Sequence, residues 1–268
     1  MLFHDARIGA SERKNNRYGS RRAMQTESFI SCLYTALIYG GANCRSNSMH
    51  LMGTGPMAHS ANIWTLMDWR RIAITQRVSV IPAYDERRDC LDQAWTRFLA
   101  ACGLLPVLLP NVAEAALALC EGADIRGLVL TGGNDLAVLG GDAPERDAVE
   151  YELLDLAARR GLPVLGVCRG MQVIQQRYAI PLRRVEGHVA QRQVVRIDGE
   201  TREVNSYHCF AAFDSRPPLE VWAVADDGVV KAVRHSAAPI MGIMWHPERF
   251  VPFSPADVAL FRRVFGAA

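Results

Sequence analysis

The chain has 268 residues, half of them hydrophobic, and a formal net charge of +2. That length suits one large domain or two small ones and supports a sizeable core without disulfides or metal. The charge is split: residues 1–66 hold seven Lys/Arg against three Asp/Glu, a net +4, and the remainder sits at −2, so the main body lacks the basic footprint of a nucleic-acid binder.

Residues 1–66 are rich in Arg, Ser, Asn and Met and show no sustained periodicity. They are expected to be a disordered or non-native extension, with the functional domain over 67–268. The apolar run Phe29–Gly40 is too short to span a bilayer. It follows Arg21 and Arg22 as a signal h-region would, but the n-region would be unusually long, and a cytoplasmic-looking domain follows, so a signal peptide is not expected.

From residue 67 the pattern alternates. Arg71–Thr75 predicts a strand. Leu91–Cys102 predicts a helix, because Leu91, Ala94, Trp95, Phe98, Leu99 and Cys102 form one apolar stripe ended by Gly103. A strand is predicted over Pro106–Leu109, a helix over Ala113–Cys120 and a strand over Gly127–Leu130. Asp147–Arg160 predicts a long helix with acids early, Arg159 and Arg160 late, and Gly161 as its C-terminal stop. Pro163–Val167 is the next strand.

Continuous apolar strands separated by helices imply an α/β fold, a mostly parallel sheet with helices on both faces. Beyond Tyr178 the pattern predicts a smaller antiparallel element of short strands at Val194–Ile197, Glu203–Ser206, Val221–Ala225, Val229–Val233 and Met241–Trp245. A helix over Pro255–Phe265 closes the chain.

Seven cysteines, at 32, 44, 90, 102, 120, 168 and 209, include no CxxC pair. The odd number and the spacing argue against a disulfide framework and against a metal site, and favour reduced thiols in a cytoplasm. No cofactor is expected.

Three segments carry chemistry. In Gly166-Val167-Cys168-Arg169-Gly170 an apolar strand runs into a tight turn and then a helix, which puts the sulfur at a helix N-terminus, where a thiolate is favoured. The alternative is a buried structural cysteine beside a turn. In Trp245-His246-Pro247-Glu248 an imidazole and a carboxylate stand two positions apart. The proline favours extended backbone at His246, so both side chains fall on one side and Glu248 can orient a His246 base. Alone, such a histidine is more often a core or solvated residue. Thr131-Gly132-Gly133-Asn134-Asp135 follows a buried strand and can turn backbone N–H groups toward an oxyanion, though a simple turn explains it as well.

Together, Gly-x-Cys-Arg-Gly-x-Gln, the later His-Pro-Glu and the earlier Thr-Gly-Gly-x-Asp resemble the class I glutamine amidotransferase superfamily. The order of the segments and the spacing from Cys168 to His246 match as well. The resemblance covers nearly all of residues 70–268 and implies a flavodoxin-like sheet. It also implies a Cys168–His246–Glu248 triad and an oxyanion hole from Gly132, Gly133 and Arg169. Val204-Asn205-Ser206-Tyr207-His208 and Asp226-Asp227-Gly228 resemble the γ-glutamyl peptide hydrolase branch, whose members cut a γ-glutamyl amide with water. By that analogy Gln172, Asn205, Ser206 and His208 hold the glutamyl group.

Ile74-Thr75-Gln76-Arg77, Glu86–Gln93 and Val185–Val189 resemble, more narrowly, the γ-glutamyl-CDP-amidate hydrolases, which serve phosphoramidate decoration of capsular polysaccharide. That implies a nucleotide-linked substrate. Arg77, Arg87 and Arg88, expected in a loop after the first strand, are then candidates for pairing with a diphosphate. The alternative for each is a surface salt bridge. Tyr178–Leu182 departs from the Gly-Gly-x-Leu of many relatives, so the local turn is expected to differ. The competing functions are a γ-glutamyl-γ-aminobutyrate hydrolase, a glutaminase subunit delivering ammonia to a synthase, and a non-catalytic scaffold. The expected partner is a small γ-glutamyl molecule, with neither nucleic acid nor membrane; oligomeric state is not legible.

Overall fold

A computed structural model describes residues 69–267. The expectations for residues 1–66 therefore lie outside the described residues.

Five strands form the parallel part of a nine-stranded sheet: β1 (Arg70–Ile74), β4 (Leu104–Leu108), β5 (Ile125–Leu130), β6 (Val164–Val167) and β13 (Ile240–Ile243), in the order β4-β1-β5-β6-β13. Four antiparallel strands extend the same sheet in the order β12-β11-β8-β9: β12 (Val230–His235), β11 (Leu219–Ala225), β8 (Val189–Ile197) and β9 (Glu200–Tyr207). The antiparallel element is thus continuous with the parallel sheet. Its link is β13, which is parallel to β6 on one side and antiparallel to β12 on the other.

Side-chain alternation sends the two faces of the sheet to two cores. On β1, Ile72 and Ile74 enter one cluster and Ala73 the other. The first cluster is covered by α1 (Gln93–Ala101), through Trp95, Phe98 and Leu99, and by α5 (Pro255–Phe265), through Leu260, Phe261 and Phe265. The second is covered by α2 (Ala113–Gly122), α3 (Pro144–Arg160) and α4 (Arg169–Arg177), with Leu153, Leu154, Met171 and Ile174 fully or nearly buried. Burying such side chains contributes about 1.5–3 kcal/mol each, which holds the helices in place. Because β1, β5, β6 and β13 run parallel, the residues after them, Thr75, Thr131, Cys168 and His246, gather at one carboxyl edge of the sheet.

One expectation needs correction. The segment after β1 is not a loop but a hairpin of β2 (Arg77–Ile81) and β3 (Glu86–Cys90), pairing Arg77 with Cys90 and Ile81 with Glu86. The charged run Glu86–Asp89 is exposed on both faces, so it shows no core-facing alternation to betray a strand. At the departure after α4, Ala179 takes the left-handed conformation at φ 53° that glycine ordinarily fills, and Ile180 N–H closes the turn on Gln175 O at 2.9 Å. The two-residue strands β7 (Arg183–Arg184) and β10 (Phe210–Ala211) pair with each other beside this turn.

Candidate active site

Cys168 lies between β6 and α4 with φ 52° and ψ −106°, a strained backbone for a residue with a Cβ. The turn is tight because α4 is pressed against β5: a Cβ on Gly170 would sit 2.1 Å from Leu130 O. Cys168 N–H is bonded to Ile243 O at 2.7 Å, which ties the turn to β13, and its thiol lies 3.9 Å from Tyr207 O. Arg169 is the first residue of α4, immediately after Cys168, so its N–H lacks a partner within the helix.

His246 and Glu248 are both 3% exposed. His246 Nδ1 meets Glu248 Oε1 at 2.8 Å. Burial disfavours a charged ring. The neighbouring Cys168, as a negative charge and as a hydrogen-bond partner, and Glu248 together outweigh it and hold His246 up at about 9. Gly132 closes the group: a Cβ there would lie 2.6 Å from His246 Cε1 and 3.5 Å from Cys168 Cβ. The Gly-Gly turn, the sulfur and the imidazole therefore meet in one place.

That turn is anchored from behind by a buried charge network that sequence reasoning missed. Arg146, fully buried on α3, donates to Thr131 O at 2.8 Å, to Thr131 Oγ1 at 3.0 Å and to Gly133 O. It pairs with Glu150 one turn on at 3.1 Å, and Glu150 in turn binds the guanidinium of Arg169, which also holds Asp147. Burial works to raise Glu150, but Arg169 and Arg146 hold it below its usual value. Burial lowers Arg146 to about 10, still well above neutrality. The Gly132–Gly133 turn and the helix after Cys168 are thus clamped through the same carboxylate. The i, i+4 spacing of Arg146 and Glu150 was readable; that Arg169 would complete the pair was not.

Two clefts meet at Gly133. One is lined by Asn134, Asp135, Cys168, Arg169, Gln172, Tyr207, His208 and Cys209. The other, about 210 Å³, is lined by Arg77, Cys90, Leu91, Asp92, Trp95, Thr131, Gly132, His246, Glu248 and Arg249. Arg249, also missed, lies over the Tyr207 ring at 4.6 Å, and that ring stands edge-on to His246 at 5.7 Å.

The remaining candidates separate. Gln172 lines the first cleft and donates to Phe210 O at 2.8 Å. Asn205 is buried against the backbone of His246 and lines neither cleft. Ser206 is fully buried and bonds His188 O at 2.7 Å. His208 borders the first cleft, and burial together with nearby Lys231 drives its ring down to about 2. Arg77 reaches the second cleft. Arg87 instead binds Glu145 and Asp142 O, and Arg88 binds Glu86 at 2.7 Å, both exposed on the hairpin.

The peptidase C26 family model matches residues 71–180 and 180–248. The chain belongs to that family. It is therefore a class I glutamine amidotransferase-like protein, a hydrolase of carbon–nitrogen amide bonds. It is 30% identical over 183 residues to a γ-glutamyl-CDP-amidate hydrolase of Campylobacter jejuni, covering 66% of this chain and 90% of that protein. Among solved structures, it resembles a candidate GMP synthase subunit of Thermoplasma acidophilum (TM-score 0.56, 18% identity, 74% of this chain and 94% of that one). It also resembles a glutamine amidotransferase of Thermotoga maritima (TM-score 0.52, 15% identity, 67% of this chain and 76% of that one). At those identities the structures speak to fold alone, and they place the sheet and helices of this peptidase C26 member among the glutamine amidotransferases.

Proposed function

We propose that the chain hydrolyses a γ-glutamyl amide through a Cys168–His246–Glu248 triad, and that its substrate is γ-glutamyl-CDP-amidate, giving glutamate and cytidine diphosphoramidate. The reaction would serve phosphoramidate addition to capsular polysaccharide, in the cytoplasm. The observation that carries the reading is the meeting of Cys168, His246 and the Gly132 turn, with Glu248 2.8 Å behind the imidazole.

In this mechanism the Cys168 sulfur forms a bond to the γ-carbonyl carbon. The developing oxyanion is met by the N–H of Arg169 and an N–H of the Gly132–Gly133 turn. As the carbon–nitrogen bond breaks, His246 gives its proton to the leaving nitrogen. His246 then takes a proton from water, which attacks the thioester, releases glutamate and returns the sulfur. Glu248 keeps the ring oriented and offsets its charge.

The cleft holding Cys168, Gln172 and His208 suits the glutamyl group, and the cleft holding Arg77 suits the leaving group. The similarity to the Campylobacter enzyme supports the nucleotide-linked substrate. A panel of γ-glutamyl compounds tests it. Preference for the CDP-amidate supports the reading. Preference for γ-glutamyl-γ-aminobutyrate, or glutaminase turnover that needs a second protein, replaces it with one of its competitors.

A further inference from the structure

The chain has two lysines, Lys14 and Lys231, against 28 arginines. Lys231 is the second residue of β12 and is 1% exposed. Its ammonium makes three hydrogen bonds: to His188 Nδ1 at 2.9 Å, to His208 Nε2 at 2.8 Å and to Ser206 Oγ at 3.1 Å. A compact tetrahedral ammonium fits three converging acceptors, as a planar guanidinium does not.

An ammonium cannot accept, so both ring nitrogens facing it must be bare. That fixes both tautomers. His208 carries its proton on Nδ1 and donates it to Phe210 O at 3.1 Å; His188 carries its proton on Nε2 and donates it to Asp227 at 2.8 Å. All three acceptors of Lys231 are therefore neutral. The carboxylate tied into this cluster, Asp227, is reached through the His188 ring and has a side chain 54% exposed. A buried positive charge with so distant a counter-ion leaves its field on whatever lies next to it.

One strand away, across the end of β13, is Cys168. Lys231 O accepts from Met244 N–H at 2.8 Å, and Cys168 N–H donates to Ile243 O at 2.7 Å. The two residues thus flank consecutive positions of the same strand end. The Ser206–His208 segment held by Lys231 also carries Tyr207 O, the acceptor 3.9 Å from the Cys168 sulfur.

We propose that Lys231 is a positioning residue of the active site: it seats the Ser206–His208 wall beside Cys168 and, as a cation in addition to His246, favours the thiolate form of the nucleophile. The inference rests on the reading of Cys168 as nucleophile. Burial pulls Lys231 down to about 8, with Asp227 and Cys168 pulling the other way, so the charge is present at neutral pH. The titratable groups around it are His188, His208, Asp227 and, across the strand end, Cys168, with His246 coupled to His208.

The test is the pH dependence of iodoacetamide alkylation at Cys168 in the full chain, read by mass spectrometry, for the parent and for Lys231→Met. The midpoint should move up by about one pH unit in the variant, the effect of removing a unit charge several ångströms away. A folded Lys231→Met protein with an unmoved midpoint overturns the proposal. Because that variant leaves two histidines without their donor, a second measurement uses the parent backbone. With ¹³C-labelled lysine, which gives two signals, Cys168→Ala should lower the Lys231 titration by a similar amount, since coupling between two sites is reciprocal. Identical Lys231 titrations in parent and variant also overturn it. Failure of Cys168 to label ahead of Cys90 and Cys209 in the parent counts against the nucleophile itself, a different result from a labelled Cys168 that ignores Lys231.

Discussion

Asn205 grips the backbone of His246 with both ends of its amide: Nδ2 donates to His246 O at 2.8 Å, and Oδ1 accepts from His246 N–H at 2.7 Å. Asn205 belongs to β9, so the strand that walls the nucleophile cleft also sets the position of the imidazole. Asn205→Ala leaves two buried backbone groups without partners, at about 1–3 kcal/mol each. Activity should fall at least about tenfold through kcat, with KM little changed, because the base is displaced while the glutamyl cleft is not. Steady-state kinetics checks this; a rise in KM at constant kcat would return Asn205 to the role of substrate contact.

The carboxylate of Glu150 is shared by Arg146 and Arg169, all three fully or nearly buried. Glu150→Gln leaves two buried guanidiniums short of negative charge, and breaking such a network costs about 3–5 kcal/mol. Urea unfolding should show that loss. A variant as stable as the parent would mean that Asp147 alone neutralises the pair.

His246 is raised from its ordinary 6.5 to about 9. A raised histidine contributes stability that is fully present below pH 6.5 and is lost as pH climbs through 9. Two trends follow. The urea midpoint should fall from pH 6.5 to 9, and kcat/KM should fall above pH 9 as the proton needed by the leaving nitrogen disappears. A kcat/KM profile still rising at pH 10 would contradict the assigned role.

Of the three arginines that are candidates for phosphate, Arg77 lines the cleft beside His246, while Arg87 and Arg88 are engaged with acids on the hairpin. Arg77→Ala should raise KM for a nucleotide-linked substrate by about tenfold or more, the scale of one charge-assisted contact, and spare simple γ-glutamyl amides. Arg87→Ala and Arg88→Ala should change neither by more than about twofold, as expected of exposed ion pairs. Equal losses on both substrate classes for Arg77→Ala would assign it a structural role.

What could be read beforehand followed local rules. Runs such as Val164–Val167 and stripes such as Trp95, Phe98 and Leu99 announce strand and helix from their own neighbours, and the closing helix Pro255–Phe265 has the bounds its pattern predicts. Cys168, His246 and Glu248 stand out through the combination of their motifs, which resembles the class I glutamine amidotransferases; locally, each segment also fits a structural turn or core residue. The hairpin β2–β3 was not legible, since neither side of Glu86–Asp89 is buried. Nor were Arg146, Arg249 and Lys231. The partners of Lys231 lie on β9 and just beside β8 and β9, and in the run Val229–Val233 it reads as an interruption of a core strand.

Substitution of Cys168 tests the central claim most directly. Cys168→Ala removes the sulfur and keeps the strained φ of 52°, so the fold should melt within a degree or two of the parent while hydrolysis of any γ-glutamyl amide falls at least about a thousandfold. Cys168→Gly, which relieves a strain of about 1–3 kcal/mol, should be equally inactive and more stable. A well-folded Cys168→Ala protein that retains turnover within about tenfold of the parent would show that the sulfur is not the nucleophile.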